Sequence, residues 1–332
     1  MFFLFISNTD LAAEPGISAA GANAEALPLT SAADADVIRF GRPSAIDCFP
    51  MDPEGHPTPA VITRAAVVSA DIPVAIVRAG SIIPPEPPYV ELGAQGGKDP
   101  RKCPSVPDAR KIFERARLLA RNCTRRGEKV MLAESIPGGT TTALLVLRAL
   151  GHDVMVSSAS RVNPIRQKEK VWTDASARAG IKMGDLRGYP LKALEELGDP
   201  MQSAVLGFIT GSHNETQVIL AGGTQMLAVA ACLRALGDDR PITVATTKYI
   251  AGDPSSSFAS LASALEAEVY AAPFDFSSSP FKGLRDYEDG YVKEGVGAGG
   301  SALYAAWNGV DISEVIRVTN SIYGEITASP IK

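Results

Sequence analysis

No pair of histidines or cysteines in this chain stands at a spacing that could grip a metal. His56, His152 and His213 lie far apart, and Cys48, Cys103, Cys123 and Cys232 form no C-x-x-C pair. A structural metal is therefore not expected. The scattered cysteines read as reduced thiols of a cytoplasmic protein, not as a disulfide frame. Basic charge is scarce too: 32 Lys and Arg face 37 Asp and Glu, a formal net charge of −5. With no basic stripe, nucleic acid is not expected as a partner. Long apolar runs are missing as well. Met1-Phe2-Phe3-Leu4-Phe5-Ile6 has no basic flank and stops too early for a signal peptide, so it reads as a buried first strand. No window approaches the roughly 18 apolar residues of a membrane helix, and no membrane partner is expected.

Short apolar runs bounded by turn residues recur at Phe2–Ile6, Val74–Val77, Val130–Leu132, Val154–Val156, Val205–Ile209, Ile242–Thr246 and Val269–Ala271. Helical patterns separate most of them, at Asp108–Cys123, Thr141–Leu150, Gln167–Ala179, Gly222–Leu236 and Ser257–Ala267. The alternation predicts one α/β domain over residues 1–332: a doubly wound, mostly parallel, Rossmann-like sheet with helices on both faces. Such sheets bind ligands at the carboxyl ends of their strands, where the strand order reverses. Residues 41–60 and 80–107 break the rhythm. Both are too proline-rich for helix or central strand, and loops of this kind line a site or an interface as readily as they lie idle.

Four glycine and hydroxyl clusters follow a strand signal or open a helix. The first is Glu134-Ser135-Ile136-Pro137-Gly138-Gly139-Thr140-Thr141-Thr142. Glycines let backbone approach a ligand, and the first amides of a helix have no partner inside it. That order of strand, glycine turn, hydroxyls and helix builds a cradle for a phosphate or a phosphosugar. The other clusters are Gly222-Gly223-Thr224-Gln225, Gly252-Asp253-Pro254-Ser255-Ser256-Ser257 and Lys293-Glu294-Gly295-Val296-Gly297-Ala298-Gly299-Gly300-Ser301. Helix capping alone would explain any one of them. Four together suggest a crevice walled by helix N-termini, which favours an anionic ligand. No lysine follows Gly139, so the first cluster is no Walker loop, and it is not G-x-G-x-x-G either. Glu294 sits among glycines at a helix start. It reads either as a solvated or capping carboxylate or as a general base brought close to a substrate.

At these residues a resemblance enters. Residues 133–141 resemble the Gly-Glu-Met-Gly-Ile-Gly-Asn-Thr-Thr loop of nicotinate-nucleotide–dimethylbenzimidazole phosphoribosyltransferases. Residues 293–298 are similar to that family's Gly-Glu-Gly-Thr-Gly-Ala motif. Gly16-Ile17-Ser18-Ala19 resembles its Gly-Val-Ser-Ala, and Gly222-Gly223-Thr224-Gln225 its Gly-Gly-Phe-Glu. The motifs stand in the family's order, over residues 2 to about 305, and look most like its shorter archaeal and cyanobacterial branch.

The resemblance implies a reaction. The phosphoribosyl group of nicotinate mononucleotide passes to a base such as 5,6-dimethylbenzimidazole or a purine, giving α-ribazole phosphate and nicotinate for the lower ligand of a cobamide. No cofactor is implied, and the family is commonly a homodimer. The resemblance makes Glu294 the general base and gives Gly138, Gly139, Thr140 and Thr141 the phosphoribosyl group. Glu134 then faces ribose or nicotinate. The remaining expected contacts are Lys168, Gly222, Gly223, Thr224, Gln225, Asp253, Gly295 and Gly297, with no metal. For Lys168 a solvated helix lysine is an equal alternative. Ser277, Ser278 and Ser279 correspond to a serine-containing phosphate segment, although the chain from there to Glu294 is shorter than in the family. Three departures stand out. The chain starts almost at the first strand, so the family's small helical domain must be reduced. Pro137 and Gly139 replace family residues, and a family asparagine is lost. No base pocket is recognisable in Thr30 to Phe49.

Two other classes fit the same residues. One is a non-catalytic nucleotide sensor, which would have no need of Glu294. The other is a different phosphosugar enzyme on the same architecture. Against a kinase stands the lack of a Walker lysine and of a carboxylate pair for magnesium.

Overall fold

Phe2-Phe3-Leu4-Phe5-Ile6 has no polar face, and a strand without one must be covered on both sides. It forms β1, the third of seven strands across the sheet of this computed structural model, which describes residues 1–21, 23 and 25–328. The others are β2 (Val74–Arg78), β3 (Tyr89–Glu91), β4 (Lys129–Ser135), β5 (Gln217–Ala221), β6 (Ile242–Thr247) and β7 (Ala267–Ala272). Their order is β3-β2-β1-β4-β5-β6-β7, and every pairing is parallel.

The helices are α1 (Thr30–Phe40), α2 (Ala60–Ser69), α3 (Ala109–Cys123), α4 (Gly139–Ala149), α5 (Ile165–Ala179), α6 (Pro190–Leu197) and α7 (Pro200–Gly211). After β5 come α8 (Thr224–Ala235), α9 (Lys248–Ala251), α10 (Phe258–Ala264), α11 (Lys282–Arg285), α12 (Ala298–Trp307) and α13 (Ile312–Ala328). Alternation along the strands divides two cores. Phe3, Phe5, Leu132 and Leu220 face α3, α4, α7 and α8, while Phe2, Leu4, Ile6 and Ala133 face α1, α2, α12 and α13. The sheet is therefore doubly wound, as expected. Helix α2 packs on both α1 and α13, so the small helical part is merged with that face of the sheet. Among the described residues no helix is long and apolar enough to cross a membrane.

From β1 the chain steps outward to β2 and β3, then returns to lay β4 on the other side. The order reverses between β1 and β4, and a crevice opens at their carboxyl ends. Ser7 and Asn8 leave β1 there, and Glu134 and Ser135 end β4. The 80–107 segment runs beside this point. Gly97 donates from its amide to the Asn8 carbonyl at 2.8 Å, and Tyr89–Glu91 is an edge strand.

Two expected strands are absent. Val205–Ile209 lies inside α7, a helix buried on nearly all sides, where an apolar run has no helical period to read. The signal that marks it is a capping box. Asp199 accepts from the Gln202 amide at 2.9 Å, and its own amide donates to Gln202 Oε1 at 3.1 Å. The strand of this region is instead Gln217–Ala221. Val154–Val156 joins no ladder. Met155 exchanges hydrogen bonds with Ser257, donating to its Oγ at 3.0 Å and accepting from its amide at 2.7 Å. The helix expected over Ser257–Ala267 stops at Ala264, and Ala267 opens β7. Nothing in the sequence reading anticipated α1, α2 or α13.

Gly207 and Gly211 let α7 lie directly on α3. A Cβ on Gly207 would stand 2.1 Å from the Phe113 carbonyl oxygen. Gly207→Val should destabilise the protein by about 1–3 kcal/mol through overpacking. Gly188→Ala, where a Cβ meets open space, should change stability little. Equal urea midpoints for the two variants would contradict this packing.

Candidate active site

The crevice is lined first by the turn that follows β4. Gly138 adopts the left-handed region at φ 81°, and a Cβ there would lie 3.0 Å from the Ala12 amide nitrogen. Gly139 opens α4, where a Cβ would meet Ile136 Cγ2 at 2.7 Å. Tight packing, more than freedom alone, requires both glycines. Among the described residues the amides of Gly138 and Thr140 meet no backbone acceptor. Two such donors at the start of an 11-residue helix favour an anion there. Thr140 lines the crevice. Thr141 does not: it is fully buried and its hydroxyl has no partner. Thr142 is turned inward as well, donating to Asp199 Oδ2 at 2.5 Å. Of the three threonines, then, Thr140 lines the crevice and the other two do not.

Glu294 lines the same crevice. Its Oε1 accepts from the amides of Gly295 at 3.2 Å and Gly299 at 3.3 Å, and its Oε2 accepts from Thr246 Oγ1 at 3.3 Å. Gly299 belongs to the first turn of α12, so this carboxylate occupies that helix's N-terminus itself. Burial pushes its pKa up to about 7, against the pull of those donors. The side chain is half-buried, with its free edge on the crevice. Glu134, 2% exposed, lines the same space. Burial raises its pKa well above the ordinary value, and the neighbouring Glu294 raises it further. One environment thus raises both carboxyls: Glu294 to about 7, and Glu134 by its burial and the repulsion of Glu294.

The glycines around Glu294 are not a flexible tether. A Cβ on Gly297 would lie 2.5 Å from Ala133 Cβ, and one on Gly299 would lie 2.1 Å from the Thr246 carbonyl carbon. They let α12 sit against the sheet, and that approach brings Glu294 to the crevice. Gly297 is therefore a packing residue and does not line the site; Gly295 does. Two β-branched residues flank the segment in the left-handed region, Val292 at φ 46° and Val296 at φ 57°. Such strain persists only where surroundings fix it. Here the Val296 amide donates to the Glu134 carbonyl at 3.0 Å, its carbonyl accepts from Thr63 Oγ1 at 2.9 Å, and the Val292 amide donates to the Ala159 carbonyl at 2.8 Å.

Gln225 reaches the crevice. Gly222 stands beside Glu134, where a Cβ would lie 3.5 Å from Oε1. Gly223 packs on Ile250, and Thr224 is buried at the start of α8. Lys168 does not line the space. It is fully buried and donates to the Ser157 carbonyl at 2.6 Å and to Asn163 Oδ1 at 2.9 Å. Burial, with help from Lys293, lowers its pKa to about 7. Asp253 is likewise internal, bound by Ser157 Oγ and paired with Lys293 Nζ at 3.1 Å. These residues hold the 157–163 loop, whose Ser158 and Ala159 do line the crevice. Ser277 and Ser278 are exposed elsewhere, and Ser279 donates to Asn320 Oδ1 at 2.5 Å. None of the three reaches the site.

Residues the sequence reading missed complete the walls. The 50–59 stretch of the first proline-rich loop supplies Met51, Asp52, His56 and Thr58. His56 is clamped between Asp52 Oδ2 at 2.6 Å and Asp286 Oδ2 at 2.8 Å, with Tyr291 against its ring. From α1 come Thr30 and Asp34, four apart and so on one face. Asp34 accepts from Thr58 Oγ1 and Ser135 Oγ, each at 2.7 Å, while burial pushes its pKa up to about 6. No local signal marks Asp34, since its partners lie 24 and 101 residues away. Ile17, Ser18 and Ala19 of the early Gly-Ile-Ser-Ala motif also line the space. Among the described lining residues there is no lysine or arginine.

No family model matches the chain, but relatives are plentiful. It is 45% identical over 328 residues to a UPF0284 protein of Pyrococcus furiosus, covering 98% of each chain. A UPF0284 protein of Thermococcus gammatolerans is 47% identical over 322 residues, 96% of each. One from Methanosarcina acetivorans is 41% identical over 318 residues, 95% of this chain and 91% of the other. Among solved structures, the nicotinate-nucleotide–dimethylbenzimidazole phosphoribosyltransferase of Thermus thermophilus aligns with TM-score 0.61 at 16% identity, over 97% of this chain and 82% of that one. CobT of the same organism gives 0.63 at 18%, over 96% and 82%. Identities this low establish a shared fold and leave the reaction to be argued from the site. The chain belongs to the UPF0284 family and carries the fold of the nicotinate-nucleotide–dimethylbenzimidazole phosphoribosyltransferases.

Proposed function

We propose that this protein transfers the phosphoribosyl group of nicotinate mononucleotide to a ring nitrogen of a benzimidazole or purine base, releasing nicotinate. The observation that carries the reading is Glu294: a carboxylate with a pKa near neutrality, fixed by backbone amides, on the same crevice as an unfilled helix N-terminus. The solved structures of like fold include an enzyme named for this reaction.

The chemistry follows from the parts. The phosphate sits on the free amides of Gly138 and Thr140 and orients the ribose without reacting. The lone pair of the incoming ring nitrogen forms the new bond at the anomeric carbon. The bond to the pyridinium breaks, and its electron pair neutralises the pyridinium nitrogen, so nicotinate leaves without an acid. As that bond forms, the proton on the base's other ring nitrogen passes to Glu294, which leaves the product ring neutral. Positive charge builds on the sugar between these events, and an ionised Glu294 stabilises it. Attack from the face opposite the leaving group inverts the anomeric carbon, as in an inverting glycosidase with nitrogen in place of water. Glu134, which burial and the neighbouring Glu294 push toward its neutral form, hydrogen-bonds a ribose hydroxyl. A protein that only sensed nucleotides would gain nothing from a carboxyl so tuned.

Glu294→Gln should lower kcat by about 10²–10⁴, with nicotinate mononucleotide still bound. Release of nicotinate at the wild-type rate by this variant would remove Glu294 from the reaction. A second expectation concerns pH. Because the base works deprotonated and its pKa lies at about 7, kcat/KM should climb with pH below neutrality and level off above it. A profile flat from about pH 5.5 to 8.5 would contradict the assignment.

A further inference from the structure

The crevice carries more carboxyls than the proposed transfer uses. Four of its lining residues carry carboxyls: Asp34, Asp52, Glu134 and Glu294. No lysine or arginine lines it, among the described residues, to neutralise them. Glu134 and Glu294 are committed to the transfer, and Asp52 is bound to His56. Asp34 is left. It is 3% exposed and lines the crevice beside Ser135, the residue that follows Glu134. Each of its oxygens accepts a single hydroxyl, Thr58 at Oδ1 and Ser135 at Oδ2. A carboxylate oxygen has room for a second donor. Met51, Pro59, Ile17 and Ile136 supply apolar surface in the same crevice, suited to the faces of a flat ring.

We infer that Asp34 is a specificity residue, which accepts a hydrogen bond from an exocyclic amino group on the edge of the acceptor base. The favoured acceptor is then an amino-bearing heterocycle, and dimethylbenzimidazole is disfavoured. The dimethyl edge would press methyl groups on a buried carboxyl and leave its remaining acceptors unfilled, which is costly. An amino group fills them. Sites built around a buried hydrogen bond reject analogues that lack the group far better than apolar pockets reject added size. The inference rests on the transferase reading for the name of the ligand's role. The hydrogen bond itself does not depend on turnover.

Equilibrium binding separates the two. Purified protein is titrated calorimetrically with adenine, 5-aminobenzimidazole and 5,6-dimethylbenzimidazole, and nicotinate release from nicotinate mononucleotide is followed in parallel with each. Wild type should bind both amino-bearing bases about 10- to 100-fold more tightly than the dimethyl base. Asp34→Asn, which keeps the shape, and Asp34→Leu should each erase most of that ratio. A wild-type ratio near one, a preference for the dimethyl base, or no binding of any base would overturn the inference. So would an undiminished ratio in both variants. If the ratio behaves as expected but no base releases nicotinate, the transferase reading falls and the role of Asp34 stands.

Discussion

One contact organises the site: the Glu294 carboxylate resting on the Gly295 and Gly299 amides at the start of α12. A carboxylate is expensive to bury, and here burial outweighs the amide and hydroxyl donors that favour the anion. The result is a group poised at about pH 7, neither locked as an anion nor lost as a neutral acid. Everything that seats α12 serves this balance. Gly297, Gly299 and Gly300 admit the helix against β4, β5 and β6, since Cβ atoms there would collide with Ala133, Thr246 and Ala221. Bonds from Val296 to the Glu134 carbonyl and from Thr63 to Val296 then hold the strained backbone that aims the side chain.

Helix termini divide the electrostatic work. The α12 terminus is taken by the protein's own carboxylate, whereas the α4 terminus keeps the amides of Gly138 and Thr140 open. Of these two termini, the one left open to an anionic group is that of α4. The rest of the crevice is acidic, with Glu134, Asp34 and Asp52 in its walls. That polarity suits a ligand with a negative end and a cationic or N–H-bearing end. A nicotinate nucleotide and an incoming nitrogen base together have this character.

Much of the architecture was legible because its signals are local. The apolar strand Phe2–Ile6, the glycine turn after β4 and the glycine run before α12 each stand in continuous sequence. The failures share a cause. Val205–Ile209 lies in a helix apolar all round, which erases the period that separates helix from strand, and only the Asp199–Gln202 cap betrays it. The third glycine cluster looked like another ligand turn, yet Asp253 and Lys293 are paired with each other behind the 157–163 loop. Asp34 and His56 were invisible for another reason. Their meaning comes from partners far along the chain: Ser135 lies 101 residues from Asp34 and Asp286 lies 230 from His56. No window of sequence contains such a pairing.

Catalysis by Glu294 requires the phosphate and the sugar's reacting carbon to lie at opposite ends of one ligand, between the α4 terminus and the carboxylate. A crystal structure of the Glu294→Gln protein with nicotinate mononucleotide measures this most directly. It should show the phosphate on the amides of Gly138 and Thr140 and the anomeric carbon beside residue 294. A phosphate seated anywhere else, or a ribose turned away from residue 294, would contradict it.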